Sequence, residues 1–109
     1  MTSTASVFKP IRATKCREML EKNKNAVLVD VRSEAEYRSC RIPGAILLPD
    51  YNLSRKAEAV LKDKDAHIIV YCQGGSRSRS ACRLLSSMGY TNVYDLGGIT
   101  DWPYETVSG

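Results

Sequence analysis

The chain has 109 residues, of which 43% are hydrophobic and 26% charged, and its formal net charge is +4. This length is typical of one domain that buries about two-thirds of its unfolded surface without disulfides or metals. No apolar run approaches the roughly 20 residues needed to cross a bilayer, and the Lys and Arg residues are scattered rather than concentrated in one motif. We therefore expect a single domain over residues 1–109 that binds neither a membrane nor a nucleic acid, and whose charge favours anionic partners.

Strands and helices are predicted to alternate along the chain. Short apolar runs rich in β-branched residues predict strands over residues 7–11, 27–31, 45–48, 67–71 and 92–96. Apolar residues at helical spacing predict helices over residues 14–22, 53–62 and 78–88, with a short helical turn over 33–39. Ser33 and Glu36 have the spacing of a capping box, and Gly89 is typical of a helix end. The alternation predicts an α/β fold, with a mainly parallel sheet and helices on both faces.

The chain ends and the cysteines bear on location and metal binding. Residues 1–6 are polar and lack the apolar core of a secretory signal, which predicts a cytoplasmic protein. We expect these residues and residues 106–109 to be loose tails. The four cysteines show no paired metal-ligand spacing and the chain has a single histidine, so no metal and no cofactor is expected.

Cys72 stands where the predicted strand 67–71 ends and a short loop leads into the next helix. The loop consists of Gln73, Gly74, Gly75, Ser76, Arg77 and Ser78. Two glycines permit a tight turn that points several backbone N–H groups at one spot, and the helix N-terminus adds partial positive charge. Such a nest binds anions and favours the ionised form of a thiol. We therefore expect Cys72 to be a nucleophile at neutral pH.

The alternative for a cysteine at a strand end is a place in the core, since cysteine is among the residues most often buried. A loop of Gly, Ser and Arg is poor core material, which favours the reactive interpretation for Cys72. Cys16 and Cys82, in contrast, fall on apolar faces of predicted helices and are expected in the core. Cys40 lacks a glycine nest.

Three loops are predicted to share one edge of the sheet. Ligands of parallel sheets bind outside the carboxyl ends of the strands, and Cys72 stands at such an end. Arg32 follows the strand 27–31 in the same way, and residues 96–99 leave the last strand.

Four motifs, in this order, resemble those of single-domain rhodaneses, the thiosulfate sulfurtransferase-like family. They are Val-Asp-Val-Arg at 29–32, Arg-Ile-Pro-Gly-Ala at 41–45, the loop at 72–78, and Leu-Gly-Gly-Ile-Thr-Asp-Trp at 96–102. The resemblance covers nearly the whole chain and implies a three-layer α/β/α sandwich with a five-stranded, mainly parallel sheet. It also implies a Cys72 persulfide and transfer of sulfane sulfur from a small anionic donor such as thiosulfate. The acceptor would be cyanide, a thiol or a thioredoxin-like protein.

The resemblance suggests substrate-binding roles for two arginines, each with an alternative. Arg32 would hold the sulfonate end of the donor, or would pair with Asp30 and pin the strand end. Arg77 would add charge and brace the loop, or would form an ion pair with Glu34 or Glu36. Gln73 is neutral where thiosulfate-using members often carry Arg or Lys. A neutral residue at this position attracts an anionic donor such as thiosulfate less strongly.

Two further functions use the same cysteine. A persulfide carrier would deliver sulfur to a protein partner with little turnover of small molecules. A cysteine-dependent phosphatase or arsenate reductase would resemble the related cell-cycle phosphatases, whose loop has the spacing Cys-x5-Arg. Here Cys72 and Arg77 have the spacing Cys-x4-Arg. The smaller ring of amides suits a single sulfur atom better than a tetrahedral oxyanion, which favours sulfur transfer.

Overall fold

A computed structural model describes residues 8–109 of the chain. The predicted loose segment 1–6 and the first residue of the predicted strand 7–11 lie outside these residues. The strands are β1 Lys9–Pro10, β2 Val27–Asp30, β3 Ile46–Leu47, β4 His67–Cys72 and β5 Asn92–Gly98. The helices are α1 Ala13–Lys22, α2 Glu34–Ser39, α3 Leu53–Val60 and α4 Ser76–Ser87, with 3-10 turns at Asp50–Asn52 and Ile99–Asp101. Along residues 8–109, no helix combines the length and hydrophobicity needed to cross a membrane.

All five strands form one parallel sheet in the order β1-β5-β4-β2-β3. This confirms the predicted α/β class. Because parallel neighbours need long crossovers, helices connect them across the faces of the sheet. The central strand β4 has neighbours on both sides, so the loop that follows Cys72 starts from the middle of the carboxyl edge.

Side chains on β4 alternate between two apolar cores, one on each face of the sheet. Ile68, Val70 and Cys72 belong to a core that includes side chains of α3 and α4. Ile69 and Tyr71 belong to a second core that includes side chains of α1 and residues packed from α2. The resulting three layers confirm the predicted α/β/α sandwich and turn the Cys72 side chain toward α4.

Cys16 and Cys82 lie in these two cores and are fully buried, as predicted. Burial raises the pKa of the Cys16 thiol to about 11. Burial also raises the pKa of the Cys82 thiol. Neither thiol therefore carries appreciable negative charge at neutral pH.

The helix ends follow the local signals, with one difference. Ser33 and Glu36 form the predicted capping box, and Gly89 has the left-handed φ of +98° that suits a helix end. Helix α4 begins at Ser76 rather than at Ser78, because Gly75 is its N-cap with φ +114°. Ser76, Arg77 and Ser78 therefore lie in the first turn of α4, where their N–H groups are free to bind other acceptors.

The C-terminal segment 106–109 is tied down rather than loose as predicted. Val107 forms an antiparallel bridge with Arg41 through N–H···O bonds of 2.8 and 2.9 Å. The Gly109 N–H also donates to the Arg38 carbonyl at 2.8 Å. These bonds use backbone groups only, so no side-chain pattern in the sequence announces them.

Candidate active site

The Cys72 sulfur accepts hydrogen bonds from two backbone N–H groups of the loop. The Gly75 nitrogen lies 3.0 Å from Cys72 Sγ, and the Ser78 nitrogen lies 3.3 Å from it. Gly75 reaches this position through its left-handed φ, which an L side chain rarely adopts. The Ser78 amide belongs to the first turn of α4, so the positive end of the helix dipole also faces the sulfur. The predicted nest is thus built around Cys72.

Cys72 is only 1% exposed, although Gln73 and Gly74 beside it lie on the surface. The thiol sits below the loop, at the end of a strand in which residues 68–71 are also buried. The loop therefore covers the sulfur. Such enclosure limits the number of water molecules around it and strengthens the two N–H contacts.

The end of β5 supports the loop from the side. An added Cβ at Gly98 would lie 2.5 Å from the Gln73 carbonyl oxygen and 3.0 Å from Gly74 Cα. The Thr100 hydroxyl donates to the same carbonyl at 3.4 Å. This confirms the prediction that residues 96–99 share an edge with the Cys72 loop, and it explains why glycine stands at position 98.

We expect Gly98→Ala to lower kcat/KM for sulfur transfer by about tenfold or more, because the new methyl group pushes on the backbone of Gln73 and Gly74. Gly74→Ala is the matched control, since its added Cβ would meet nothing within 4 Å and its φ is not left-handed. Steady-state kinetics on both variants, with thermal unfolding as the fold check, tests this. An equal loss in the two variants would contradict it.

Arg77 forms a two-pronged ion pair with Glu36. Its two terminal nitrogens lie 2.8 and 2.9 Å from the two carboxylate oxygens. The Arg77 guanidinium lowers the pKa of Glu36 to about 2, and Glu36 in turn raises the pKa of Arg77. The pair joins the first turn of α4 to α2 and so braces the loop. Glu34 instead pairs with Arg38, at 3.0 Å.

Arg32 is 2% exposed and pairs with Asp30, which is fully buried. Its Nε lies 3.0 and 3.1 Å from the two Asp30 oxygens, and Nη2 lies 2.7 Å from Oδ2. Nη2 also donates to the Cys40 carbonyl, and Nη1 donates to Gln73 Oε1 at 3.0 Å. Burial opposes the charge of Arg32, but the bonds and the charge of Asp30 outweigh it and raise the pKa of Arg32. This geometry agrees with the alternative in which Arg32 pairs with Asp30 and fixes the end of the strand. Arg32 also binds Gln73, the first residue of the loop.

Beside the loop lies an open cavity of about 350 Å³. It is lined by Arg32, Ala35, Glu36, Ser39, Cys40, Gln73 and Ile99. Both arginines predicted to bind the donor are thus paired with carboxylates, so the cations next to the cavity are largely compensated. Among the described residues, the Gly75 and Ser78 N–H groups donate to the Cys72 sulfur.

Trp102 and His67 have packing contacts. Trp102 is partly exposed, contacts Tyr104 edge-on at 5.0 Å and donates its Nε1–H to the Glu105 carbonyl, as expected for a covering residue. His67 is half-buried and lies 3.4 Å from the Tyr94 hydroxyl. Among residues 8–109, no group of three or more His, Cys, Asp or Glu side chains is placed to hold a metal ion.

Asp95 is the site residue that sequence reasoning missed. Its Oδ1 accepts the Ser78 hydroxyl at 2.7 Å and the Gly97 N–H at 2.9 Å. The only available signal was a carboxylate within the apolar strand 92–96, just before the pair of glycines. Nothing in that pattern says which loop the carboxylate contacts.

The chain is similar to known proteins over most of its length. The family described as Rhodanese-like domain matches residues 12–104. The chain is 35% identical to thiosulfate sulfurtransferase GlpE of Pseudomonas fluorescens, over 95% of this chain and 96% of that protein. It is also 35% identical to thiosulfate sulfurtransferase PspE of Escherichia coli, over 74% of this chain and 78% of that protein. A structure of rhodanese with anions from E. coli superimposes with a TM-score of 0.73 at 33% identity, covering 77% of this chain and 99% of that one.

Proposed function

We propose that the chain carries sulfane sulfur from thiosulfate to a thiophilic acceptor as a persulfide of Cys72. The chain belongs to the rhodanese-like domain family and is a sulfurtransferase. The observation that carries this proposal is the pair of N–H groups at 3.0 and 3.3 Å from Cys72 Sγ. Hydrogen-bond donors that are already in position before the reaction stabilise the charge without having to reorganise during it. They suit a thiolate first and a terminal persulfide sulfur afterwards.

The proposed reaction has two displacement steps. In the first, the Cys72 thiolate attacks the outer sulfur of thiosulfate, a Cys72 S–S bond forms, and the S–S bond of the donor breaks. Sulfite leaves with the electron pair of that bond, and the persulfide keeps one negative charge. In the second, cyanide or a thiolate attacks the terminal sulfur and Cys72 leaves as the thiolate. No proton, oxidant or reductant is needed for the balance, and the scheme is of the ping-pong type.

Thiosulfate is the proposed donor because GlpE and PspE are named thiosulfate sulfurtransferases. Its sulfonate end would lie in the cavity beside Gln73. In this arrangement Arg77 and Arg32 act chiefly by bracing α4 and Gln73, since Glu36 and Asp30 already balance their charges. Compensated cations attract an anion less strongly than free ones.

The test is to incubate the reduced protein with thiosulfate, record its intact mass, and then add cyanide. We expect a gain of one sulfur atom that cyanide removes, with continuous release of thiocyanate. A stable gain without thiocyanate would overturn enzymatic turnover in favour of the persulfide carrier. No gain of sulfur, together with hydrolysis of an aryl phosphate, would overturn the proposal in favour of the phosphatase.

A further inference from the structure

We infer that Asp95 is a positioning residue for sulfur transfer, because its carboxylate holds the Ser78 hydroxyl and thereby the two N–H groups that face Cys72 Sγ. The inference deepens the proposed function and rests on it. Asp95 does not touch the sulfur itself. It acts through the first turn of α4 and through the loop glycine before it.

Ser78 connects the carboxylate to both N–H groups. The Ser78 side chain is fully buried, and its Oγ lies 2.7 Å from Asp95 Oδ1 and 3.0 Å from the Gly75 carbonyl oxygen. A hydroxyl has a single proton, so the carboxylate and the carbonyl share it. The same two residues, Ser78 and Gly75, supply the N–H groups at the sulfur. One hydroxyl contact therefore sets the position of both donors.

Strand alternation places Asp95 on the face of the sheet that carries α4, and a local irregularity of β5 follows it. Val70 pairs with Asp95, but the next residue Tyr71 pairs with Gly97, so Leu96 is an extra residue on β5. Gly97 has φ +90°, and its N–H turns back to donate to Asp95 Oδ1 at 2.9 Å. The carboxylate oxygen that holds Ser78 is thus itself held by the strand.

Both contacts of Asp95 Oδ1 come from hydrogen-bond donors, the Ser78 hydroxyl and the Gly97 N–H, so the role of this side chain is to accept hydrogen bonds. Asparagine at position 95 keeps an oxygen that can accept the same two bonds and removes the charge.

The experiment compares Asp95→Ala, Asp95→Asn and Ser78→Ala in the full chain. We expect Asp95→Ala to lower kcat on the order of tenfold to a hundredfold, with KM for thiosulfate nearly unchanged, because the N–H groups shift away from the sulfur. Asp95→Asn should restore most of this loss. Ser78→Ala should reproduce the loss, and the double variant with Asp95→Ala should add little, since both remove one contact.

Asp65→Ala is the matched control. Asp65 Oδ1 accepts the Thr91 hydroxyl at 2.8 Å, which is the same type of bond at the opposite end of β5. Asp65→Ala should change the free energy of unfolding without changing kcat. Wild-type kcat in folded Asp95→Ala, or equal losses in Asp95→Asn and Asp95→Ala, would overturn the inference. If Asp95→Ala does not fold, Ser78→Ala decides in the same way: retained kcat would overturn the inference, and a loss of the expected size would support it.

Alkylation of Cys72 by iodoacetamide separates this inference from the proposed function, because it needs no sulfur donor. Asp95→Asn and Asp95→Ala both lack the charge, so the ratio of their rates reports the hydrogen bond alone. We expect faster alkylation in Asp95→Asn. Equal rates, or slower alkylation in Asp95→Asn, would overturn the positioning role even in a protein that transfers sulfur. Faster alkylation in Asp95→Asn would support it even where thiosulfate fails to load the wild type, which would overturn only the proposed function.

Discussion

Cys72→Ser is expected to lower sulfur transfer by at least about a thousandfold, because a hydroxyl is neither ionised at neutral pH nor able to carry a sulfane sulfur. The fold should survive, since Ser differs from Cys by one atom and the Gly75 and Ser78 N–H groups can donate to its oxygen. The measurements are thiocyanate production and the intact mass after thiosulfate. Substantial activity, or a mass gain in this variant, would contradict the assignment of Cys72.

Serine substitutions at the other three cysteines are the matched controls. Cys16 and Cys82 are fully buried with raised pKa values, so their replacement should affect stability and not the chemistry. Cys40 ends α2, where its carbonyl accepts a bond from Arg32, and its thiol has no N–H donors like those at Cys72 among the described residues. Each of these variants should gain one sulfur atom from thiosulfate. Loss of loading in any of them with the fold intact would show that Cys72 does not act alone.

The fold and the position of Cys72 at the start of a nest of N–H groups could be predicted from the sequence because both depend on short-range patterns. Apolar residues on the strand 67–71 alternate between two cores, and apolar residues at helical spacing follow this strand in the chain. The place of Cys72 between strand and helix is therefore a local property. Ser33 and Glu36 announce their capping box in the same local way. The parallel sheet follows from the alternation of elements and not from any single residue.

Contacts between distant segments could not be predicted in this way. The sequence does not decide whether Arg32 binds a donor or pairs with Asp30, because this depends on how deeply the end of β2 is buried. The contact of Asp95 with Ser78 depends on how β5 pairs with β4 and how α4 packs on the sheet. Residues 106–109 are held by backbone groups, which every sequence has, and by one hydrogen bond from the Arg41 side chain to the Gly109 carbonyl. In each case the determining factor is tertiary packing rather than local composition.

Insertion of one glycine between Gly75 and Ser76 is expected to lower sulfur transfer by about a hundredfold or more, because it enlarges the ring of N–H groups around the sulfur. The Gly75 amide and the Ser78 amide would no longer point at Cys72 Sγ from a single turn. The insertion also separates the Gly75 carbonyl from the Arg79 N–H and the Ser78 hydroxyl, which it binds at 3.2 and 3.0 Å. Since added loop residues cost little closure entropy, the free energy of unfolding should fall by about 2 kcal/mol at most.

The matched control for this prediction is a glycine inserted between Lys24 and Asn25, two exposed residues of the turn before β2 at the amino edge of the sheet. That variant should keep wild-type kinetics at a similar cost in stability. The loop insertion also creates the spacing Cys-x5-Arg, so hydrolysis of an aryl phosphate should be measured alongside thiocyanate release. A folded loop variant with wild-type sulfur transfer would mean that ring size does not select the chemistry. The spacing of Cys72 and Arg77 would then no longer argue for sulfur transfer over phosphate hydrolysis, and the choice between them would depend on the N–H contacts to the sulfur alone.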